Sequence, residues 1–135
     1  MSIEAPSVPF TTETYEGFAT TEGLLSREEN TLILEFKTKD SFVGLIQSEV
    51  KRVEIPLAIL TGFEFKSKLL SNKILIRSNS LQTLDSIPGS KQGMVTLKIR
   101  RTDKETAAAL ASNISLYISE SRLKRLDEEL NKLEE

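Results

Sequence analysis

The amino-acid sequence predicts a mainly β domain, a bent antiparallel sheet or partly open barrel of six or seven strands, capped by a long C-terminal helix. Three observations predict this fold. Short segments of alternating apolar and polar residues fill the middle of the chain. Polar turns and prolines separate these segments. From residue 107 onward, apolar residues recur at intervals of three and four, which is the period of a helix.

The first predicted hairpin joins strands at residues 17–25 and 31–39 across the polar turn 26–30. A third strand is predicted over residues 51–55. It ends at Pro56, because proline has no N–H to donate to a sheet ladder.

A second hairpin is predicted from two lysine-bearing strands. Phe63 and Phe65 point inward on the first strand, and residues 73–78 return after a turn at residues 69–72. The segment 81–92 contains a possible short strand and a Pro-Gly turn. The last strand is predicted over residues 94–101.

The C-terminal helix has a predicted start and an apolar face. Thr102 and Glu105 have the spacing of a capping box, in which each side chain accepts a backbone N–H at the start of a helix. The apolar face predicted to cover the sheet comprises Ala107, Leu110, Ala111, Ile114, Tyr117 and Ile118.

The helical pattern continues past the length that a small domain needs. Leu123, Leu126, Leu130 and Leu133 repeat at 3-4-3 spacing, and no glycine or proline interrupts them. These leucines must pack on their own domain, a second copy or a different protein, because a short helix is marginally stable alone. The predicted organisation is an extended N-terminal arm (1–16), a domain (17–119) and a helical tail (120–135).

The composition limits the chemistry of the chain. It has no cysteine and no histidine, which excludes thiolate catalysis, histidine-based hydrolysis and a cysteine- or histidine-ligated metal site. The sequence shows neither an export signal nor an apolar run long enough to span a membrane. We therefore expect a cytoplasmic, non-enzymatic protein without a cofactor.

Charge is distributed unevenly along the chain. Residues 31–101 hold 12 lysines and arginines against 6 acids, while the segments on both sides are acidic. The residues expected to carry this charge on the outer face of the sheet are Lys66, Lys68, Lys73, Arg77, Lys98 and Arg100. A solvated face is the ordinary explanation, and nucleic acid is an unlikely partner because aromatic residues do not alternate with these bases.

The order of strands and helix resembles the pleckstrin-homology superfold, and in particular the bacterial PH-like domains. The resemblance rests on Ile55-Pro56-Leu57-Ala58-Ile59 before Gly62-Phe63-Glu64-Phe65, on the hairpin that follows, and on the final helix. It implies a scaffold that binds phosphoinositides, peptides or other proteins. Phosphoinositide binding is not expected here, because Glu28 and Glu29 in the turn 26–30 would repel a phosphate.

Two apolar segments are candidates for surface contact. The run that contains Phe42 and Leu45 either packs beneath the sheet or is exposed as an interface. Leu69 and Leu70 lie at a predicted turn, where they either fold back onto a neighbouring element or contact an anionic membrane surface. The lysines beside this turn are Lys66, Lys68 and Lys73.

These observations predict a non-catalytic interaction or scaffold module that assembles with itself or another protein through its C-terminal helix. A peripheral membrane-surface module is one alternative. A small ligand-binding barrel or an enzyme is another.

Overall fold

A computed structural model describes residues 7–14, 19–40 and 49–134 of the chain. The described part contains seven strands, two short 3-10 turns and one long helix. The strands are β1 (Val8–Thr14), β2 (Ala19–Glu28), β3 (Thr31–Asp40), β4 (Lys51–Pro56), β5 (Leu60–Lys68), β6 (Ser71–Ser78) and β7 (Met94–Ile99). The 3-10 turns are Leu57–Ile59 and Arg101–Asp103, and helix α1 covers Lys104–Leu133.

All seven strands form one antiparallel sheet in the order β4-β3-β2-β1-β7-β6-β5. It consists of two meanders, β1 to β4 and β5 to β7. They join where Thr11 of β1 pairs with Lys98 of β7. The sheet is not closed into a barrel, since β4 and β5 are its two edges. The predicted class, a mainly β fold with a C-terminal helix, is confirmed.

The N-terminal segment requires a correction. Residues 8–14 are extended, as predicted, but they form a strand in the middle of the sheet and not an arm outside the domain. Val8, Phe10 and Thr12 alternate on one face and are buried there. The prolines at positions 6 and 9 and the short polar side chains hide this alternation in the sequence, because proline is unusual in a central strand.

Because β1 precedes them, the two strands of the predicted first hairpin are β2 and β3. The turn 26–30 connects the second and third strands, with Glu28 pairing Thr31 across it. The connection between β1 and β2 comprises residues 15–18, which lie outside the described part of the chain.

One hydrophobic core joins the buried residues of the sheet and of helix α1. Phe63 is buried as predicted, but Phe65 is only partly buried. The alternating apolar residues of three other strands are also buried: Leu32, Leu34, Phe36, Ile74, Ile76, Val95, Leu97 and Ile99. Leu84 and Ile87 enter the same core from the segment between β6 and β7, which is irregular and does not form the short strand that its sequence allows.

Helix α1 covers the edge strand β5 and completes the core. Its buried residues are Ala107, Leu110, Ala111, Ile114 and Ile118, with Tyr117 partly buried, as its apolar period predicts. Covering β5 in this way shields its unpaired backbone groups.

The start of α1 differs from the predicted capping box. Thr102 lies in the preceding 3-10 turn, and the N-cap residue is Asp103, whose side chain makes no capping hydrogen bond. Its carboxylate instead accepts a hydrogen bond of 3.1 Å from Arg100 Nε. The helix therefore begins within two residues of the predicted site, but with a different arrangement at its first turn.

Candidate interaction surfaces

The C-terminal half of α1 projects beyond the domain. The helix has 30 residues without a break, which corresponds to about 45 Å at 1.5 Å per residue. Ile118 is its last buried residue. Residues 120–133 therefore continue the helix and do not fold back onto the sheet.

One face of this helix carries exposed leucines, named here the leucine stripe. Its members are between 49% and 81% exposed: Leu116, Leu123, Leu126, Leu130 and Leu133. The sequence predicted the last four. Leu116 was missed because it lies in the part of the helix that packs on the sheet, on the side opposite the buried face, although its spacing of seven residues from Leu123 was a usable signal.

The leucine stripe has the period of a coiled coil. Leu116, Leu123 and Leu130 occupy successive a positions of a heptad, and Leu126 and Leu133 occupy d positions. Ser119 takes the remaining d position.

Charged residues flank the leucine stripe. Arg122 and Glu129 are at g positions, and Glu120, Asp127 and Glu134 are at e positions. These flanking charges determine which orientation a partner helix would adopt.

A second exposed apolar surface lies at the tip of the β5–β6 hairpin. Leu69 and Leu70 form its two-residue connection and are 96% and 95% exposed. The expectation that these leucines fold back onto a neighbouring element is wrong.

Lysines surround this tip. Lys66 of β5, Lys73 of β6 and Lys98 of β7 are direct cross-strand neighbours, so they form a row across three strands, named here the lysine row. Lys68 lies next to Leu69, and all four lysines are exposed. Arg77 and Arg100, the other predicted members of the basic face, are also exposed but lie outside the row.

A polar contact holds α1 against the turn between β2 and β3. Arg27 donates hydrogen bonds from Nε to the Glu29 carbonyl oxygen at 2.7 Å and from Nη1 to Asn113 Oδ1. Its guanidinium lies 5.2 Å from the centre of the Tyr117 ring, within the range of a cation–π contact. Arg27 therefore positions the helix.

Arg52 forms the densest ionic cluster in the described chain, with Glu54, Glu35 and Glu28 at 3.2, 3.3 and 3.4 Å. The hydrogen bond that Arg52 donates to the Glu54 carboxylate raises the pKa of Arg52, and the charges of the three glutamates act in the same direction. All four side chains are well exposed, so water screens these pairs and they contribute little to stability.

The buried polar side-chain atoms of the described residues all have hydrogen-bond partners. The Thr12 hydroxyl donates to the Pro88 carbonyl oxygen at 3.0 Å, and the hydroxyls of Thr21 and Thr38 lie 3.1 Å apart. In the ranges that the structure describes, no three acidic residues are grouped so that they could hold a metal ion.

No helix among the described residues has the length and apolar character needed to cross a membrane.

Of the predicted contact residues, Phe42 and Leu45 lie outside the described part of the chain. The leucine stripe and the tip of the β5–β6 hairpin are the predicted surfaces that the structure does describe.

No protein-family model, curated protein or solved structure matches this chain.

Proposed function

We propose that this protein is a non-catalytic, PH-like interaction module that assembles into a dimer through its projecting helix. The observation that carries the proposal is the leucine stripe, five exposed leucines at heptad spacing, four of which follow the last buried residue of the helix. The strand order β4-β3-β2-β1-β7-β6-β5 followed by one helix supports the PH-like assignment.

The projecting helix needs a partner for physical reasons. Isolated helices of about 12–15 residues are marginally stable in water, and the segment after Ile118 buries no residue against its own domain. The leucine stripe of a second copy would bury these leucines and stabilise both helices. A second copy of the chain can therefore serve as the partner without another component.

The flanking residues favour a parallel pair. In a parallel dimer each leucine faces its own copy, and Ser119 faces Ser119, so no leucine lies opposite a serine. Arg122 then lies across from Asp127 of the other copy, which is an attractive g–e′ pair. The repulsive pair, Glu129 with Glu134, falls at the end of the helix.

An antiparallel pair is less favourable. It would place leucines opposite Ser119 and bring Glu120 close to Asp127 of the other copy in the middle of the contact. The charges do not decide between the two, since Arg122 would lie near Glu129 of the other copy and offset that repulsion, so the mismatch of leucine with serine is what makes the parallel arrangement the better one.

Light scattering after size exclusion tests the assembly. We expect the full chain to have twice its 15.1 kDa monomer mass. The double substitution Leu126→Glu and Leu130→Glu should weaken the dimer more than about 100-fold, because it places charges in the apolar contact. Far-ultraviolet circular dichroism and the melting temperature check that the variant domain remains folded.

A matched variant controls for the added charge. Lys124→Gln with Asn131→Glu also lowers the net charge by two, but both positions lie away from the stripe. This variant should stay dimeric. A full chain that is monomeric up to about 0.1 mM, or a control that dissociates equally, would contradict the assignment of the stripe to self-assembly.

A further inference from the structure

The tip of the β5–β6 hairpin breaks a local rule of turn chemistry. Two-residue hairpin connections strongly prefer Asn-Gly, Asp-Gly or a glycine, because their favoured turns require positive φ. Here the connection is Leu69-Leu70, and neither leucine is buried. A pair of apolar residues that contributes neither turn geometry nor packing points to a contact outside the chain.

The lysine row places like charges next to one another beside the tip. Like charges directly opposite one another on adjacent strands repel, and the row contains two such pairs, Lys66 with Lys73 and Lys73 with Lys98. The segment from Lys66 to Lys73 contains no acidic residue. Glu64, two residues before it, lies 3.7 Å from Lys66 and offsets part of the repulsion.

We propose that this hairpin docks the protein on an anionic lipid bilayer, with Leu69 and Leu70 inserted at the boundary between headgroups and acyl chains. An apolar tip with a basic collar complements such a surface in both respects, since the leucines leave water and the lysines meet anionic headgroups.

The dimensions of the hairpin fit this arrangement. Lys66 and Lys73 are each three residues from the nearer leucine, so they lie about 10 Å behind the tip at 3.3 Å per residue. The row spans two strand spacings, again about 10 Å. Insertion of the tip by 5–10 Å, the usual depth for an interfacial apolar surface, brings these ammonium groups to the level of the headgroups.

The tip is separate from the leucine stripe. Strand β7 ends at Ile99, opposite Asn72 near the tip, and α1 begins five residues later. By Ser115 the helix has reached Phe63, six residues back along β5 from Leu69. The helix therefore runs away from the tip, and the two surfaces can be tested independently.

Vesicle co-sedimentation of the full chain is the first test. We expect binding to phosphatidylcholine vesicles that contain phosphatidylserine at about 0.02 M salt. Binding should be much weaker at about 0.5 M salt or to phosphatidylcholine alone, because screening removes the attraction of the lysines. No binding to the anionic vesicles at low salt would overturn the proposal.

Two variants test the tip itself. Leu69→Asn with Leu70→Gly installs a favoured turn sequence, so the hairpin should remain intact while binding falls at least about tenfold. Lys68→Gln with Lys73→Gln should weaken binding by about fivefold for each lysine removed. The matched control Lys51→Gln with Lys91→Gln changes two exposed lysines elsewhere and should bind more tightly than the tip variant.

The absence of tryptophan from the sequence allows a direct measurement of insertion. Leu70→Trp places a single emission probe at the tip, and Leu81→Trp places one at an exposed leucine outside the hairpin. On adding anionic vesicles, we expect a blue shift and quenching by brominated lipid for the first variant only. Unchanged emission from Leu70→Trp would contradict insertion.

The assembly variant separates the two surfaces. Leu126→Glu with Leu130→Glu leaves the tip intact and should still bind vesicles. Loss of vesicle binding in this helix variant, together with retained binding after Leu69→Asn with Leu70→Gly, would assign the membrane contact to the helix. The proposal would then fail. Binding of the tip to an acidic protein, with no binding to vesicles, would likewise overturn it.

Discussion

The Ser115 hydroxyl donates a hydrogen bond of 2.6 Å to the carbonyl oxygen of Phe63, which joins the middle of α1 to the edge strand β5. An edge strand has backbone groups without a neighbouring strand, and this bond satisfies one of them from the helix. The contact fixes where α1 crosses the sheet, and thereby where the helix leaves the domain.

Replacing Ser115 with alanine should lower the free energy of unfolding by about 1 kcal/mol, because the partly buried carbonyl loses its partner. Chemical denaturation measures the change. Ser112→Ala is the matched control, since Ser112 is exposed on the same helix and its replacement changes only helix propensity. Equal effects of the two substitutions would show that the bond does not stabilise the packing of α1.

Gly23 allows three strands to approach closely. A Cβ at this position would lie 2.4 Å from the Glu35 carbonyl oxygen and 2.7 Å from Phe10 Cζ. Gly23→Ala should therefore destabilise the domain by about 1–3 kcal/mol, because the backbone of β3 must shift.

Gly62→Ala is the control for Gly23, since the nearest atom to its Cβ would be at an ordinary 3.7 Å. This variant should be neutral or slightly more stable, because alanine reduces the entropy of the unfolded chain. Thermal melts of both variants give the comparison. A Gly62 variant as unstable as the Gly23 variant would contradict the steric explanation.

Arg27 and Asn113 should be energetically coupled across 86 residues of sequence. We expect a double-mutant cycle of Arg27→Ala and Asn113→Ala to give a coupling of about 0.5–1.5 kcal/mol, since each substitution removes the same hydrogen bond. Tyr117→Leu in a second cycle with Arg27→Ala isolates the cation–π contact. Additive effects in both cycles would mean that Arg27 does not hold the helix.

Glu129→Lys distinguishes the two possible orientations of the dimer. In a parallel pair the new lysine faces Glu134 of the other copy, so the dimer should become about threefold tighter. In an antiparallel pair it faces Arg122, and the dimer should weaken.

Glu128→Lys makes the same change in charge at an f position, on the outside of the pair. It should leave the dissociation constant unchanged within about twofold. Sedimentation equilibrium of both variants measures the difference, and weakening by Glu129→Lys alone would exclude the parallel arrangement.

Alternation and helical period were sufficient to predict most of the fold. Strands β2 to β7 and the buried face of α1 lie where these patterns indicate, because a half-buried strand and a half-buried helix each require their own spacing of apolar residues. Strand β1 was missed, because Pro9 and a run of threonines obscure the alternation of apolar and polar residues. Val8 and Phe10 are the buried apolar members of that alternation.

The candidate surfaces were predicted unequally. The leucines at 123, 126, 130 and 133 could be predicted as a contact surface, because their helical period continues beyond the residues that are needed to cover the sheet. For Leu69 and Leu70, the sequence did not distinguish packing from exposure, because two leucines occur both in turns that fold back onto the domain and in turns that face solvent. The lysine row was also beyond reach, because strand register brings together residues 66, 73 and 98 from three strands.

The sequence by itself determined the class of the fold and most of the inward residues, because these depend on the spacing of neighbours along the chain. Only the tertiary structure decided that β1 lies at the centre of the sheet, that α1 runs away from the β5–β6 tip, and that the tip leucines are exposed. Those features depend on which distant segments pair and in what register, and local spacing does not fix the free energy of contacts between residues far apart in the chain.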